Sequence, residues 1–118
     1  MKKNSIINLN TLNEICDGDK SFMLEMIIVF IAQALLQVEE IENAVKEKDE
    51  DKMKKTAHKY KSSAFIFGIK DLHELLEKLE TNGTKGLDEK AVTKYIKKIR
   101  NISNTAVEIL KEKRTEYI

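Results

Sequence analysis

The chain has 118 residues with 21 basic and 20 acidic side chains, and its net charge of +1 argues against a general nucleic-acid binder, which carries a clear basic excess. We expect one domain over residues 1–118 with its core at about 9–113, because the length is that of an ordinary domain. Proline is absent and glycine occurs only four times, which favours an all-helical fold. The single Cys16 cannot form an internal disulfide and no signal peptide opens the chain, which predicts a cytoplasmic setting.

The first predicted element is a short helix over residues 11–16. Thr11 and Glu14 stand there at the spacing of a capping box, in which each side chain bonds a free backbone N–H of the first turn. A turn follows, after which either Asp19 or Ser21 is expected to cap a second helix.

The second helix is predicted over about 20–47, because apolar residues recur there at three- and four-residue steps. Its inward stripe comprises Met23, Ile27, Phe30, Ala34, Val38, Ile41 and Val45. The stretch 22–36 is more apolar than one buried face requires, but Glu25 and Gln33 interrupt it and it is too short to span a bilayer. We expect this stretch to be buried by packing on several sides, and the alternative is an oligomer contact.

The third helix is predicted over about 50–66, after a polar joint. Its inward residues are Met53, Ala57, Tyr60, Ala64 and Phe67. Gly68 is expected to close this helix, since glycine adopts the left-handed conformation that commonly ends one.

The fourth and fifth helices are predicted over about 70–81 and 88–113, with Asp88 as the cap of the fifth. The inward residues of the fourth are Leu72, Leu75, Leu76 and Leu79. The stripe of the fifth comprises Val92, Tyr95, Ile96, Ile99, Ile102, Ala106, Ile109 and Leu110. With no strand pattern in the sequence, the fold class is all-α: an antiparallel four-helix bundle with a short extra N-terminal helix.

His58 lies off the apolar stripe of the third helix. At about 100° per residue it falls roughly 140° round from Met53, so its imidazole is predicted to face solvent. Its neighbours one turn away on either side are mainly cationic, and an aromatic side chain lies two turns further on, near the same face. The patch comprises His58, Lys54, Lys55, Lys61, Ser62 and Phe65.

A solvent-facing imidazole among lysines suits phosphoryl transfer. Neutral imidazole is a good nucleophile, nearby cations disfavour its protonated form, and the same cations would stabilise an attached phosphoryl group. Positioning and electrostatics supply most of the catalysis in such transfers, so a simple surface suffices if the partner brings the rest of the site. Surface histidines on charged helices are nevertheless common and usually have no function, so residue types alone leave both interpretations open.

The segment 57–63, continued by Gly68 and by a leucine-rich helix that ends in Leu79 and Glu80, resembles the histidine-containing phosphotransfer (Hpt) domain. The family signature is a His, a Lys three residues later, small residues, a Gly ten residues after the His and a leucine-rich helix ending in Leu-Glu. All of these occur here in order. A Gly-Asp turn, a long helix and an acidic joint upstream are also similar, and the resemblance covers about residues 9–110.

The resemblance implies a helical bundle whose exposed histidine accepts a phosphoryl group from a receiver-domain aspartate and passes it to another. His58 would be the phospho-acceptor, Lys61 would support the phosphoryl group, and Gly68 matches the glycine that closes the His helix. The implied partners are response-regulator receiver domains, with a hybrid sensor kinase as a further candidate, and neither nucleic acid nor membrane insertion. We expect a monomer without a cofactor of its own, since the Mg²⁺ of the reaction would belong to the receiver.

Two positions depart from the family pattern. Ser62 stands where the family often has Gly, four residues after the His, which leaves close approach of a partner possible but less tight. Tyr60 stands where the family often has Leu. It is expected to pack inward with its hydroxyl at the edge of the bundle.

Other kinds of site find little support in the sequence. The second histidine, His73, neighbours Glu74 and Glu77 and is expected to be exposed or on the flank of its helix, in a structural role. No pair of Cys or His stands at ligand spacing on one helix, and no Gly-rich phosphate loop occurs, so we predict no metal site and a phosphocarrier rather than a kinase. The alternative functions are a binding module that docks a receiver or kinase without being phosphorylated, and an oligomerisation domain built on 22–36.

Overall fold

The computed structural model describes residues 6–118, and within that range the chain is helical without a strand. The elements are α1 (Asn10–Ile15), α2 (Lys20–Lys46), α3 (Glu50–Ile66), α4 (Lys70–Asn82), α5 (Glu89–Lys113) and a 3₁₀ turn at Arg114–Tyr117. The predicted all-α bundle with a short N-terminal helix is confirmed, and the predicted helix bounds agree to within one or two residues.

Aspartate side chains set the starts of three of the four long helices, α2, α3 and α5. Asp19, Asp49 and Asp88 each accept a backbone N–H from the residue three positions on, at 3.2, 3.1 and 2.8 Å. These bonds satisfy N–H groups that have no partner inside the helix. Asp19 rather than Ser21 is therefore the cap of α2, and the prediction of Asp88 is confirmed.

The capping box predicted for α1 is wrong. The helix begins at Asn10, so Thr11 already lies inside its first turn and cannot act as the cap. The N-cap residue, Leu9, makes no side-chain bond, and the Oδ1 atom of Asn8 instead accepts the N–H of Asn10 at 2.9 Å.

The four long helices form a closed ring of neighbours. α2 packs against α3 and α5, and α4 packs against the same two helices, so the order around the bundle is α2, α3, α4, α5. The 3₁₀ turn packs against α2 and α5, and α1 lies against α3. Most predicted stripe residues are buried, but those at the flanks are only half-buried: Val45, Leu75, Val92, Tyr95 and Ile102.

The outward side of α2 is apolar and exposed. The exposed fractions of Phe22, Ile28, Val29 and Leu36 range from 42% to 58%. The expectation that the stretch 22–36 is packed on several sides is therefore wrong, because α2 occupies a corner of the bundle, where α3, α5 and the 3₁₀ turn cover its inner side and leave its outer side open.

The length of α2 also changes what its composition implies. The whole helix has 27 residues, and by length and composition alone it could cross a membrane, whereas the stretch 22–36 taken by itself is too short to do so. Core helices of soluble proteins and signal sequences meet the same criterion, and 28% of its most apolar window is buried inside the bundle.

Gly68 allows the N-terminal segment to cross the end of α3. Its φ of +62° lies in the left-handed region, and a Cβ at this position would stand 2.1 Å from the carbonyl oxygen of Asn8. The N–H of Asn8 donates to the carbonyl of Phe67 at 3.3 Å. Gly68 thus ends α3, as predicted, and no larger residue fits the crossing without a shift of the backbone.

Candidate functional site

α3 presents His58 to solvent, as its periodicity predicts. The His58 side chain is 65% exposed, whereas Ala57 and Tyr60 on either side of it in the sequence are fully buried. Phe65, two turns further along the same face, is 60% exposed. The helix therefore displays an imidazole and, two turns further on, a phenyl ring on one surface that the bundle leaves open.

The charged group nearest to His58 is a carboxylate from the neighbouring helix α4. The Oε2 atom of Glu80 lies 2.5 Å from His58 Nδ1, and its Oε1 atom lies 2.6 Å from Lys61 Nζ. One carboxylate thus joins a histidine and a lysine that stand one turn apart on α3. Because an ionised carboxylate only accepts hydrogen bonds, Nδ1 is the donor to it. In the neutral ring the Nε2 atom then carries the free lone pair.

Each partner in the Lys61–Glu80 ion pair favours the charged form of the other. The Lys61 ammonium beside Glu80 holds the pKa of that carboxyl below its usual value, and the contact with His58 acts in the same direction. Glu80 in turn raises the pKa of Lys61, with a smaller contribution from Glu77. Both members of the pair are therefore charged at neutral pH.

The predicted lysine patch is only partly present. Lys55 is exposed, but Lys54 is half-buried, with its aliphatic chain beside the position of Gly83. Lys61, expected to point outward, is 22% exposed and lies in the groove between α3 and α4. The periodicity of α3 placed lysines one turn from His58 but could not show that a carboxylate contacts its ring, because Glu80 belongs to α4.

A shallow groove runs from Lys61 along the α3–α4 face. Its lining comprises Lys61, Ser62, Phe65, Ile66 and His73. The rings of Phe65 and His73 are in contact, with their centroids 6.0 Å apart. His73 is half-buried, which agrees with the flank position predicted for it. Ile66 also borders a second groove between α2 and α3, together with Met26 and Val29, so an apolar surface continues beyond Phe65.

Tyr60 faces the interior, and its hydroxyl is not at the edge of the bundle as predicted. The residue is fully buried, and its hydroxyl lies 2.7 Å from the Oγ atom of Ser103 on α5. Burial raises the pKa of Tyr60 to about 12. The ring therefore crosses the core from α3 to the diagonally opposite helix, where a small polar side chain meets it.

Sequence reasoning missed Glu80 as a member of the site. A signal was present, since Leu79 and Glu80 end the leucine-rich helix of the family pattern, but only their presence was noted and not a role. Among residues 6–118 no group of three or more His, Cys, Asp or Glu side chains is arranged to hold a metal ion.

Comparisons with known proteins agree with this geometry. The sequence matches the family model of the Hpt domain over residues 25–109. The structure is similar to the crystal structure of histidine-containing phosphotransfer protein B (HptB) from Pseudomonas aeruginosa PAO1, with a TM-score of 0.82 and 16% sequence identity over 96% of this chain and 97% of that chain. At that identity the likeness concerns the fold. No curated protein matches the sequence.

Proposed function

The chain belongs to the Hpt domain family and is a histidine phosphotransfer protein of a phosphorelay, and from this premise we propose that His58 is the residue that carries the phosphoryl group. The observation that supports this most directly is the state of its ring. The side chain is 65% exposed, and the bond from Nδ1 to Glu80 leaves Nε2 as the nucleophilic atom.

In the proposed transfer, the lone pair of His58 Nε2 attacks the phosphorus of a receiver aspartyl phosphate. An N–P bond forms while the P–O bond to the aspartyl carboxylate breaks, and the carboxylate leaves with that electron pair. The ring keeps its proton on Nδ1 and gains positive charge. Glu80 lies where this charge develops and stabilises it. The reverse sequence delivers the phosphoryl group to a second receiver.

Lys61 supports the phosphoryl group electrostatically. Its ammonium has three N–H donors, of which the ion pair with Glu80 occupies one. A second donor is free for an oxygen of a phosphoryl group on His58, one helical turn away. Lys55 and Lys54 add positive charge at longer range, which attracts the anionic active site of a receiver.

The receiver docks over the α3–α4 face, with Phe65 as its apolar anchor. Exposed aromatic side chains often dominate the binding energy of such interfaces. Ser62 is small enough to let a partner approach between His58 and Phe65. The apolar surface at Ile66 and Val29 extends the contact toward α2.

This surface supplies only part of the groups that the transfer needs, and the receiver supplies the rest. His58, Glu80 and Lys61 supply a nucleophile, an orienting carboxylate and one cation. In this proposal the receiver supplies the Mg²⁺ and the acceptor carboxylate, and the chain is a phosphocarrier without kinase activity or a cofactor of its own. The proposed setting is the cytoplasm, as the sequence predicts. We infer that the chain acts as a monomer between receiver domains, one of which belongs to a hybrid sensor kinase.

Label transfer from a receiver tests the proposal. A receiver domain is phosphorylated with a small-molecule donor that carries labelled phosphate and is then mixed with the wild-type chain, with His58→Gln or with His73→Gln. We expect acid-labile label on the wild type and on His73→Gln, and none on His58→Gln. Label that persists on His58→Gln would overturn the assignment.

A further inference from the structure

His73, which the transfer reaction leaves unused, is placed against the exposed aromatic of the docking surface. The centroids of the His73 and Phe65 rings are 6.0 Å apart and the ring planes are inclined by 53°. This tilted geometry is one that aromatic pairs favour. Phe65 lies on α3 and His73 on α4, so the contact bridges the groove between the two helices.

Both rings lie within reach of a partner that is centred on His58. Phe65 follows His58 by seven residues, which places it near the same face and about 10 Å along the helix axis. A standard interface buries about 800 Å² per partner, equivalent to a disc of roughly 16 Å radius. A receiver that docks over His58 therefore also covers Phe65 and the edge of His73.

We propose that His73 is a positioning residue for receiver docking: its ring holds the Phe65 side chain in the orientation that the receiver meets. This inference rests on the function proposed for His58. An exposed phenyl ring without a neighbour samples several rotamers, and a partner must then order it during binding. A ring that is already held in one rotamer contributes its contact area at a lower cost in conformational entropy.

His73 is suited to this role because its backbone is held in the helix and the residue is less exposed than Phe65. It stands in the first turns of α4, where its backbone N–H donates to the carbonyl of Ile69 at 2.9 Å. The side chain is half-buried between two shallow depressions of the surface. One is bordered by Asn8, Thr11 and Lys70, and the other by Lys61, Ser62 and Ile66. His73 therefore lines both depressions, and the more exposed Phe65 rests against it.

A ring-retaining substitution separates this role from other effects of His73. The wild-type chain, His73→Ala and His73→Phe are titrated with the receiver domain that phosphorylates the wild type, and Kd, KM and kcat are measured. We expect His73→Ala to raise Kd and KM about two- to tenfold, the range that the loss of an aromatic pair implies, with kcat unchanged. His73→Phe should restore both constants, because it keeps a ring in place. Glu74→Ala, an exposed neighbour, serves as the control.

A double-mutant cycle completes the test. If His73 acts through Phe65, His73→Ala should have no further effect on Kd in a Phe65→Ala background. The proposal would be overturned by an unchanged Kd in His73→Ala, or by an equal rise of Kd in His73→Ala and His73→Phe. It would also be overturned if the effects of His73→Ala and Phe65→Ala on the free energy of binding simply added in the double variant. Phosphorylation of His58 is followed in every variant, so a failure of the proposed function, seen as the absence of label on His58 in the wild type, is distinguished from a failure of this inference.

Discussion

Two residues apart on α3, Tyr60 and His58 make the same kind of contact in opposite surroundings. Each bonds a polar group of another helix: Tyr60 reaches Ser103 at 2.7 Å, and His58 reaches Glu80 at 2.5 Å. Tyr60 is fully buried, whereas the His58 side chain is 65% exposed. A buried bond has no water to replace a lost partner, but an exposed one does. The inner contact therefore stabilises the bundle, while the outer contact orients a ring that remains free to react.

The largest effect expected from this comparison is on stability, at the inner contact. Tyr60→Ala should lower the free energy of unfolding by about 3–5 kcal/mol, because it leaves a cavity in the core and Ser103 without its partner. His58→Ala should change it by no more than about 0.5 kcal/mol. Urea unfolding of both variants measures the difference. Equal losses in the two variants would show that the faces of α3 do not differ as described.

A second expected effect is a loss of stability at alkaline pH. The pKa of Tyr60 is about 12 in the folded chain, above the ordinary value of about 10. Between these values the unfolded chain releases a proton that the folded chain retains. The stabilisation is therefore fully present below about pH 10 and is lost as the pH rises toward 12, by about 2–3 kcal/mol in all. The free energy of unfolding of Tyr60→Phe should fall less steeply across this pH range than that of the wild type. Identical pH profiles for the two chains would show that Tyr60 is not the group responsible.

At the outer contact, Lys61→Ala should affect transfer and not the fold. We expect the rate of phosphoryl transfer to fall about tenfold, because a charge-assisted hydrogen bond to the phosphoryl group is lost. The free energy of unfolding should change far less than in Tyr60→Ala, since an ion pair in a groove that water reaches contributes little. Lys59→Ala, which removes an exposed lysine of the same helix that has no role in the proposed site, is the matched control. A large drop in melting temperature for Lys61→Ala would mean that the residue has a structural role.

The smallest effect should come from the docking surface. Phe65→Ala should raise the KM for the receiver several-fold, which corresponds to a loss of about 1 kcal/mol of binding free energy, while kcat and stability change little. Leu87→Ala removes another exposed apolar side chain, in the turn between α4 and α5, and should leave KM unchanged. A loss of stability in Phe65→Ala with unchanged KM would show that the ring packs rather than docks.

The sequence predicted elements well and contacts between elements poorly. Periodicity located every long helix, Asp88 was correctly predicted as the cap of α5, and the wheel of α3 placed His58 and Phe65 outward. The same wheel could not show that Glu80 of α4 stands beside His58, or that Ser103 of α5 receives the hydroxyl of Tyr60. Periodicity gives the direction of a side chain from its own helix axis but not which residue of another helix lies there. The exposed outer side of α2 was missed for the same reason, since apolar composition alone does not reveal that a helix stands at a corner.

The most direct test of the account is to locate the phosphorus atom on the phosphorylated chain. Nitrogen-15 and phosphorus-31 NMR of the histidine rings distinguish Nδ1 from Nε2 and His58 from His73. The geometry predicts that phosphorus is bonded to Nε2 of His58, with the proton retained on Nδ1 toward Glu80. Phosphorus on Nδ1 of His58, on His73 or on any other residue would contradict it.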